Sequence, residues 1–111
     1  MNFLVVVFVT LMVTIADQAL GESINVIDRG NVILDTFQCR DVSRSKLINR
    51  ICYDGNRDYL IIGIRGSYNQ YCEVDSDTVA ELISSESMWQ YYNEHIKADD
   101  DHDCRNGGVP E

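Results

Sequence analysis

Three hydrophobic patterns divide the chain. Phe3–Ile15 is an apolar run broken only by Thr10 and Thr14. The second pattern is strand-like. Ile24, Val26 and Ile27, then Val32, Ile33 and Leu34, flank Asp28-Arg29-Gly30-Asn31 and predict a hairpin. Leu47, Ile48, Ile51 and Tyr53 predict a strand ending at the turn signal Asp54-Gly55-Asn56. Tyr59–Ile64, YLIIGI, is β-branched and too short for a helix, so it reads as a central strand. Gly63 inside it marks a bulge or a close backbone approach. Arg65-Gly66-Ser67 turns the chain, and Tyr68–Cys72 returns as the third strand of a meander.

The third pattern is helical. Asp75-Ser76-Asp77 supplies N-cap chemistry and puts carboxylates at the positive end of the helix dipole. Val79, Leu82 and Ile83 follow at i, i+3 and i+4, and Ser84-Ser85 closes the helix. Ser87-Met88-Trp89-Gln90 fits a capping box and opens a second helix, whose face is Met88, Tyr91, Tyr92, His95 and Ile96. The order strand, strand, strand, helix, helix predicts an α+β domain: a small antiparallel meander with both helices packed on one face. Arg40–Ser45 reads as a connector. ADDDHD, residues 98–103, offers nothing to bury, so residues 98–111 read as a largely disordered acidic tail, tied down only if Cys104 is bridged.

The apolar run at the start has the length of a signal-peptide core and is short for a membrane span. Ala19-Leu20-Gly21 offers a cleavage site before Glu22, with Ala16 and Ala19 as alternatives. The expectation is a signal peptide over residues 1–21, an N-terminal extension with a hairpin over 22–46, the patterned domain over 47–97, and no membrane span. Four cysteines follow: Cys39, Cys52, Cys72 and Cys104. An even count in a short exported chain implies two disulfides. Their spacings contain no C-x-x-C, which argues against structural zinc.

Pairing depends on register. With short turns on both sides of the 59–64 strand, Cys52 lies opposite Leu60 and Cys72 opposite Ile61. Alternation then points the two cysteines to opposite faces, which disfavours a Cys52–Cys72 bridge. Cys39–Cys52 with Cys72–Cys104, or Cys39–Cys72 with Cys52–Cys104, remain. A shift of one residue reverses the argument.

Charge narrows the partners. Residues 22–65 carry seven Lys/Arg against six Asp/Glu, whereas residues 66–111 carry two against eleven. An acidic C-terminal half repels phosphate backbones and favours cationic partners. The basic cluster Arg40, Arg44, Lys46 and Arg50 contains Asp41 and reads as a solvated loop. Asp99, Asp100, Asp101, His102 and Asp103 lack the spacing of a calcium loop. There is no G-x-S-x-G, and only His95 and His102 could serve as a base. No catalytic constellation, metal site or cofactor is therefore expected. Aromatic residues remain as binding candidates: Tyr53, Tyr68 and Tyr71 on the meander and Trp89 on the second helix. Exposed on one face, they could stack on bases or sugar rings; packed together, they form core.

Leu47–Lys97 resembles the KTSC domain, a module named from the C-terminus of some lysyl-tRNA synthetases. Ile48, Ile51, Tyr53 and Asp54 match its opening. Leu60, Ile62 and Ile64 match its strand, Gly66 its turn, and Tyr71 and Val74 the close of the next strand. Leu82, Ser87, Tyr91, Tyr92, Asn93 and Ile96 match its helices. Cys52, Asn69, Cys72, Asp75 and Trp89 depart from the pattern, and two of these are cysteines. The resemblance implies the fold; RNA binding is the activity suggested for the family. Export and negative charge weigh against nucleic acid. The expectation is a secreted, disulfide-stabilised, non-enzymatic binding module for an extracellular protein or glycan. RNA binding, or a secreted hydrolase or inhibitor using His95 near Asp54, stand as alternatives.

Overall fold

The computed structural model describes residues 21–107. Residues 1–20, all but the last of the proposed export segment 1–21, and the last four residues lie outside the described residues. Six strands form one sheet in the order β2-β1-β6-β5-β4-β3: β1 Ser23–Val26, β2 Gly30–Ile33, β3 Gln38–Asp41, β4 Ile48–Asp54, β5 Tyr59–Ile64 and β6 Ser67–Tyr71. Helix α1, Ser76–Ser84, and helix α2, Met88–Tyr92, follow. A π-helical stretch, Asn93–Lys97, continues α2. A 3-10 turn at Asp100–His102 and a short helix α3, Cys104–Gly107, close the described chain.

The α+β class and the β4-β5-β6 meander are as expected, but the sheet is larger and mixed. The N-terminal hairpin joins it through one parallel contact, Val26 opposite Tyr68. Strand β3 takes in Arg40 and Asp41, the start of the stretch read as a connector, and pairs antiparallel with β4. Only Ile33 to Gln38 links one sheet edge to the other. That segment spans at most about 18 Å, while six flat strands would set their edges about 24 Å apart. The sheet must therefore curl, and Leu34 and Phe37 are buried inside the curl.

Each face has its own core. On one, Leu60, Ile62, Ile48 and Ile51 meet Val79 and Leu82 of α1, Met88 and Tyr92 of α2, and Ile96. On the other, Tyr59, Ile61 and Cys52 meet Ile24, Val26, Val32, Leu34 and Phe37. Strand β5 is covered on both sides, which explains why YLII is continuously apolar. Asp75 caps α1 by accepting from the Thr78 amide at 2.9 Å. Ser87 caps α2. The Gln90 side chain turns to Glu94, so only half of the capping box forms.

Register corrects the disulfide argument. The β4–β5 turn holds four residues, 55–58, so Cys52 lies opposite Ile61 rather than Leu60. The β5–β6 turn holds two, Arg65 and Gly66, with φ of 54° and 86°, as a tight hairpin of this handedness requires. Tyr71 then lies opposite Leu60, which carries Cys72 beside Tyr59. Cys52 and Cys72 therefore share a face. Each is bridged elsewhere: Cys52 to Cys39, its direct cross-strand neighbour with Cα atoms 4.0 Å apart, and Cys72 to Cys104. Gly63 marks a bulge, which lies in the partner strand, and the close approach there is of side chains rather than backbone. Strand β4 bulges between Ile48 and Arg50 opposite it, and a Cβ there would lie 3.2 Å from the Tyr68 ring.

Candidate functional site

The four aromatic candidates do not form one surface. Tyr53 and Tyr71 flank Leu60 in a single cross-strand row on the helix-covered face. Tyr68 packs on the opposite face. Every one is half-buried. The Tyr53 hydroxyl donates to the Val74 carbonyl at 2.7 Å, tying the sheet to the approach of α1. Burial, with the Asp58 carboxylate beside it, pushes the Tyr53 phenol up to about 12. The Tyr71 and Tyr92 hydroxyls hydrogen-bond, and their rings meet edge-on at 5.7 Å. Burial also raises the Tyr71 phenol well above its ordinary range. Trp89 stacks on Tyr92 at 5.2 Å. These aromatics chiefly seal the sheet against its helices.

The charged candidates are also engaged. Arg44 donates to the carbonyls of Ser85, at 2.7 Å, and Ile83, satisfying the end of α1. Arg50 forms a two-pronged pair with Glu22 at 2.6 and 2.8 Å, which fastens the chain before β1 to β4. Hydrogen bonding to Arg50 holds the Glu22 carboxyl below its ordinary range. Asp54, only 2 % exposed, accepts from the Thr36 hydroxyl and Arg57 Nε, both at 2.7 Å, and from the Asn56 amide at 3.1 Å. Burial alone would raise its pKa, but these three donors outweigh it and the net shift is downward. His95 stands on the helical layer, half exposed, stacked on Tyr91 at 4.5 Å. Asp54 points to the other face, toward Thr36. The structure does not bring the two together.

A cleft of about 320 Å³ opens where the sheet is incomplete. Strand β1 touches β6 only at Val26 opposite Tyr68, then turns away into the hairpin. The Ile27 amide donates to the Tyr68 carbonyl at 2.9 Å, and four residues on the Cys72 amide donates to the His102 carbonyl at 2.8 Å. Hydrogen-bonding direction alternates along an antiparallel strand. Residues 68, 70 and 72 therefore all present their backbone outward. Gln70, between the two, has an amide and a carbonyl that take no backbone partner among the described residues.

The cleft surrounds this gap. Ile96 and Cys104, both buried, and Tyr71 line it, with the exposed Ile27 at its edge. Four carboxylates, Asp28, Asp99, Asp100 and Asp103, face two cations, Lys97 and Arg105. Arg105 occupies Asp103 with side-chain hydrogen bonds of 3.0 and 2.8 Å and holds that carboxyl at about 2. Asp28, Asp99 and Asp100 are exposed.

The Cys72–Cys104 bridge builds the wall opposite β1. It docks residues 98–107, and His102 Nδ1 adds a hydrogen bond to the Cys72 carbonyl at 3.1 Å. The acidic run, expected to be largely disordered, is instead folded through its 3-10 turn, because the Cys104 bridge and the His102 hydrogen bonds hold it to β6. Among the described residues no three His, Cys, Asp or Glu side chains converge as a metal site would require. Of the candidates read from the sequence, Tyr71, Cys104 and the acidic run meet at this cleft. The gap at Gln70 carries no sequence signal, since strand pairing is invisible in composition.

A curled α+β sheet backed by two helices defines the class of this molecule. The KTSC domain model matches residues 44–99, about half of the 111 residues. The chain belongs to the KTSC domain family. A search of curated proteins finds no match. The matched span includes β4, β5, β6, α1, α2 and the π-helical stretch. The N-terminal hairpin, β3 and the bridged segment from Asp100 onward lie outside it, so this chain adds two walls of its cleft to the family core.

Proposed function

We propose that this protein is an exported, disulfide-stabilised, non-enzymatic binding module, and that the cleft at the outer edge of β6 holds its extracellular ligand. The single observation that carries the reading is the unpaired backbone of Gln70 at the back of a lined cleft. A strand edge left open in an otherwise paired and covered region offers two directed hydrogen bonds to a ligand. Its size stands at the lower end of ligand pockets, about 300–1,000 Å³. Two disulfides suit an oxidising compartment, and the apolar start of the sequence suits export. The aromatics divide between two faces and the cleft is acidic, which favours a cationic or neutral ligand over a phosphate-bearing one.

The test has two parts. Expressed in secreting cells, the full chain is expected in the medium with no thiol that alkylates before reduction. Retention inside the cell with free thiols refutes the compartment. Arrayed against extracellular proteins and glycans, the protein is expected to retain a small set. Asn69→Trp, which fills the cleft, is expected to lose them while keeping the wild-type circular dichroism. Retention of nothing, or equal retention by the filled variant, refutes the site.

A further inference from the structure

Resting on that reading of the cleft, we infer that its occupant is a short extended segment of a partner protein whose lysine or arginine side chain lies among Asp28, Asp99 and Asp100. Three independent features converge on this chemistry. The open edge is one residue long: Tyr68 is taken by β1 and Cys72 by His102, leaving Gln70. One amide and one carbonyl, spaced as in a strand, match one residue of an extended chain. Apolar side chains stand beside this edge. Ile27, 48 % exposed, is one of two large hydrophobic side chains left in solvent among the described residues, and it lines the cleft with Tyr71. The methylene stem of a lysine or arginine packs on such a surface while its head reaches the rim. Finally, the rim is anionic. Asp103 is engaged by Arg105, and Asp99 accepts from the Asp101 amide at 2.9 Å with His102 Nε2 3.7 Å from its other oxygen, yet four carboxylates still line the cleft against the two cations Lys97 and Arg105.

A glycan would use the edge but leave the carboxylates without a counter-charge. An acidic peptide would meet them directly. The second copy of this chain is a poor fit, since its net charge is −9.

The experiment uses the full disulfide-bonded chain, isotopically labelled, titrated with a blocked pentapeptide of valine, threonine and a central arginine. Saturable shifts are expected at the amides of Gln70, Ile27 and residues 97–105. A central glutamate is expected to abolish saturation. The Asp28→Asn, Asp100→Asn double variant is expected to weaken binding about fivefold. N-methylation of the peptide backbone is expected to weaken it comparably. The inference is overturned if the arginine peptide does not saturate, if its shifts map away from the cleft, or if the glutamate peptide binds equally. It is also overturned if argininamide alone binds as tightly, since the backbone edge then contributes nothing. Failure of the peptide, with array partners still lost in Asn69→Trp, sinks the inference and leaves the broader reading standing.

Discussion

Removal of the Cys72–Cys104 bridge should separate stability from site architecture. In the double variant Cys72→Ala, Cys104→Ala both thiols disappear, so no reactive cysteine confuses the result. The bridge closes a loop with a sequence separation of 32 residues. Loop-closure entropy for that length corresponds to about 4 kcal/mol, against about 3 kcal/mol for the 13-residue separation of Cys39–Cys52. A domain of this size has little stability to spare, typically ~5–15 kcal/mol in total. The two bridges differ more in where they act. Cys39–Cys52 joins strands that are already hydrogen-bonded neighbours. Cys72–Cys104 holds a segment whose main backbone tie to the sheet is the Cys72 amide on the His102 carbonyl. Urea unfolding of the double variant should show a loss of about 4 kcal/mol. Amide exchange of residues 99–106 should rise toward unprotected rates while β4, β5 and α1 stay protected. Peptide or array binding at the cleft should vanish with that wall. The matching Cys39→Ala, Cys52→Ala variant should lose stability but keep the cleft. A loss below about 1 kcal/mol, or unchanged protection at residues 99–106, would show that the segment packs without its bridge and refute this reasoning.

Asp54→Ala should cost about 3 kcal/mol in urea unfolding, because Thr36 and Arg57 lose their shared acceptor at a buried position. The carboxyl is held lower in the folded protein than in the unfolded chain. Its contribution is therefore present above pH ~4 and is lost as pH falls through the folded value; Asp54→Asn should flatten this part of the acid profile. Tyr53 should ionise near pH 12 in tyrosinate absorbance. The unfolded chain ionises first, near pH ~10, so stability should fall between those values, less steeply in Tyr53→Phe. Glu22→Gln should cost about 1 kcal/mol and speed exchange in β1, and salt should shrink the difference.

Much of this fold is local and therefore legible in the chain. The continuous apolar run of β5 follows from burial on both faces. The stripe Val79, Leu82 and Ile83 announces α1, and Asp75 and Ser87 announce both helix starts, because caps satisfy amides a few residues away. Gly63 signals its own crowding. The family resemblance rests on these same positions, from Ile48 to Ile96, and the matched span agrees with it.

Strand β3 could not be read. QCRD has no alternation and little to bury; it becomes a strand because Cys39 faces Cys52 across the β4 edge. The faces of Cys52 and Cys72 turned on two loop lengths, and one residue of slip inverts a side chain. The aromatic candidates Tyr53, Tyr68, Tyr71 and Trp89 divide between two faces instead of forming one surface, since exposure belongs to the packed sheet rather than to a tyrosine. Helix starts and the central strand were thus determined by the sequence alone, through interactions spanning a few residues. The curl of the sheet, the opening at Gln70 and the docking of the acidic segment were decided only by tertiary structure. Each depends on strands and a bridge that join residues far apart in the chain, and nothing in the local pattern encodes which edge will be left unpaired.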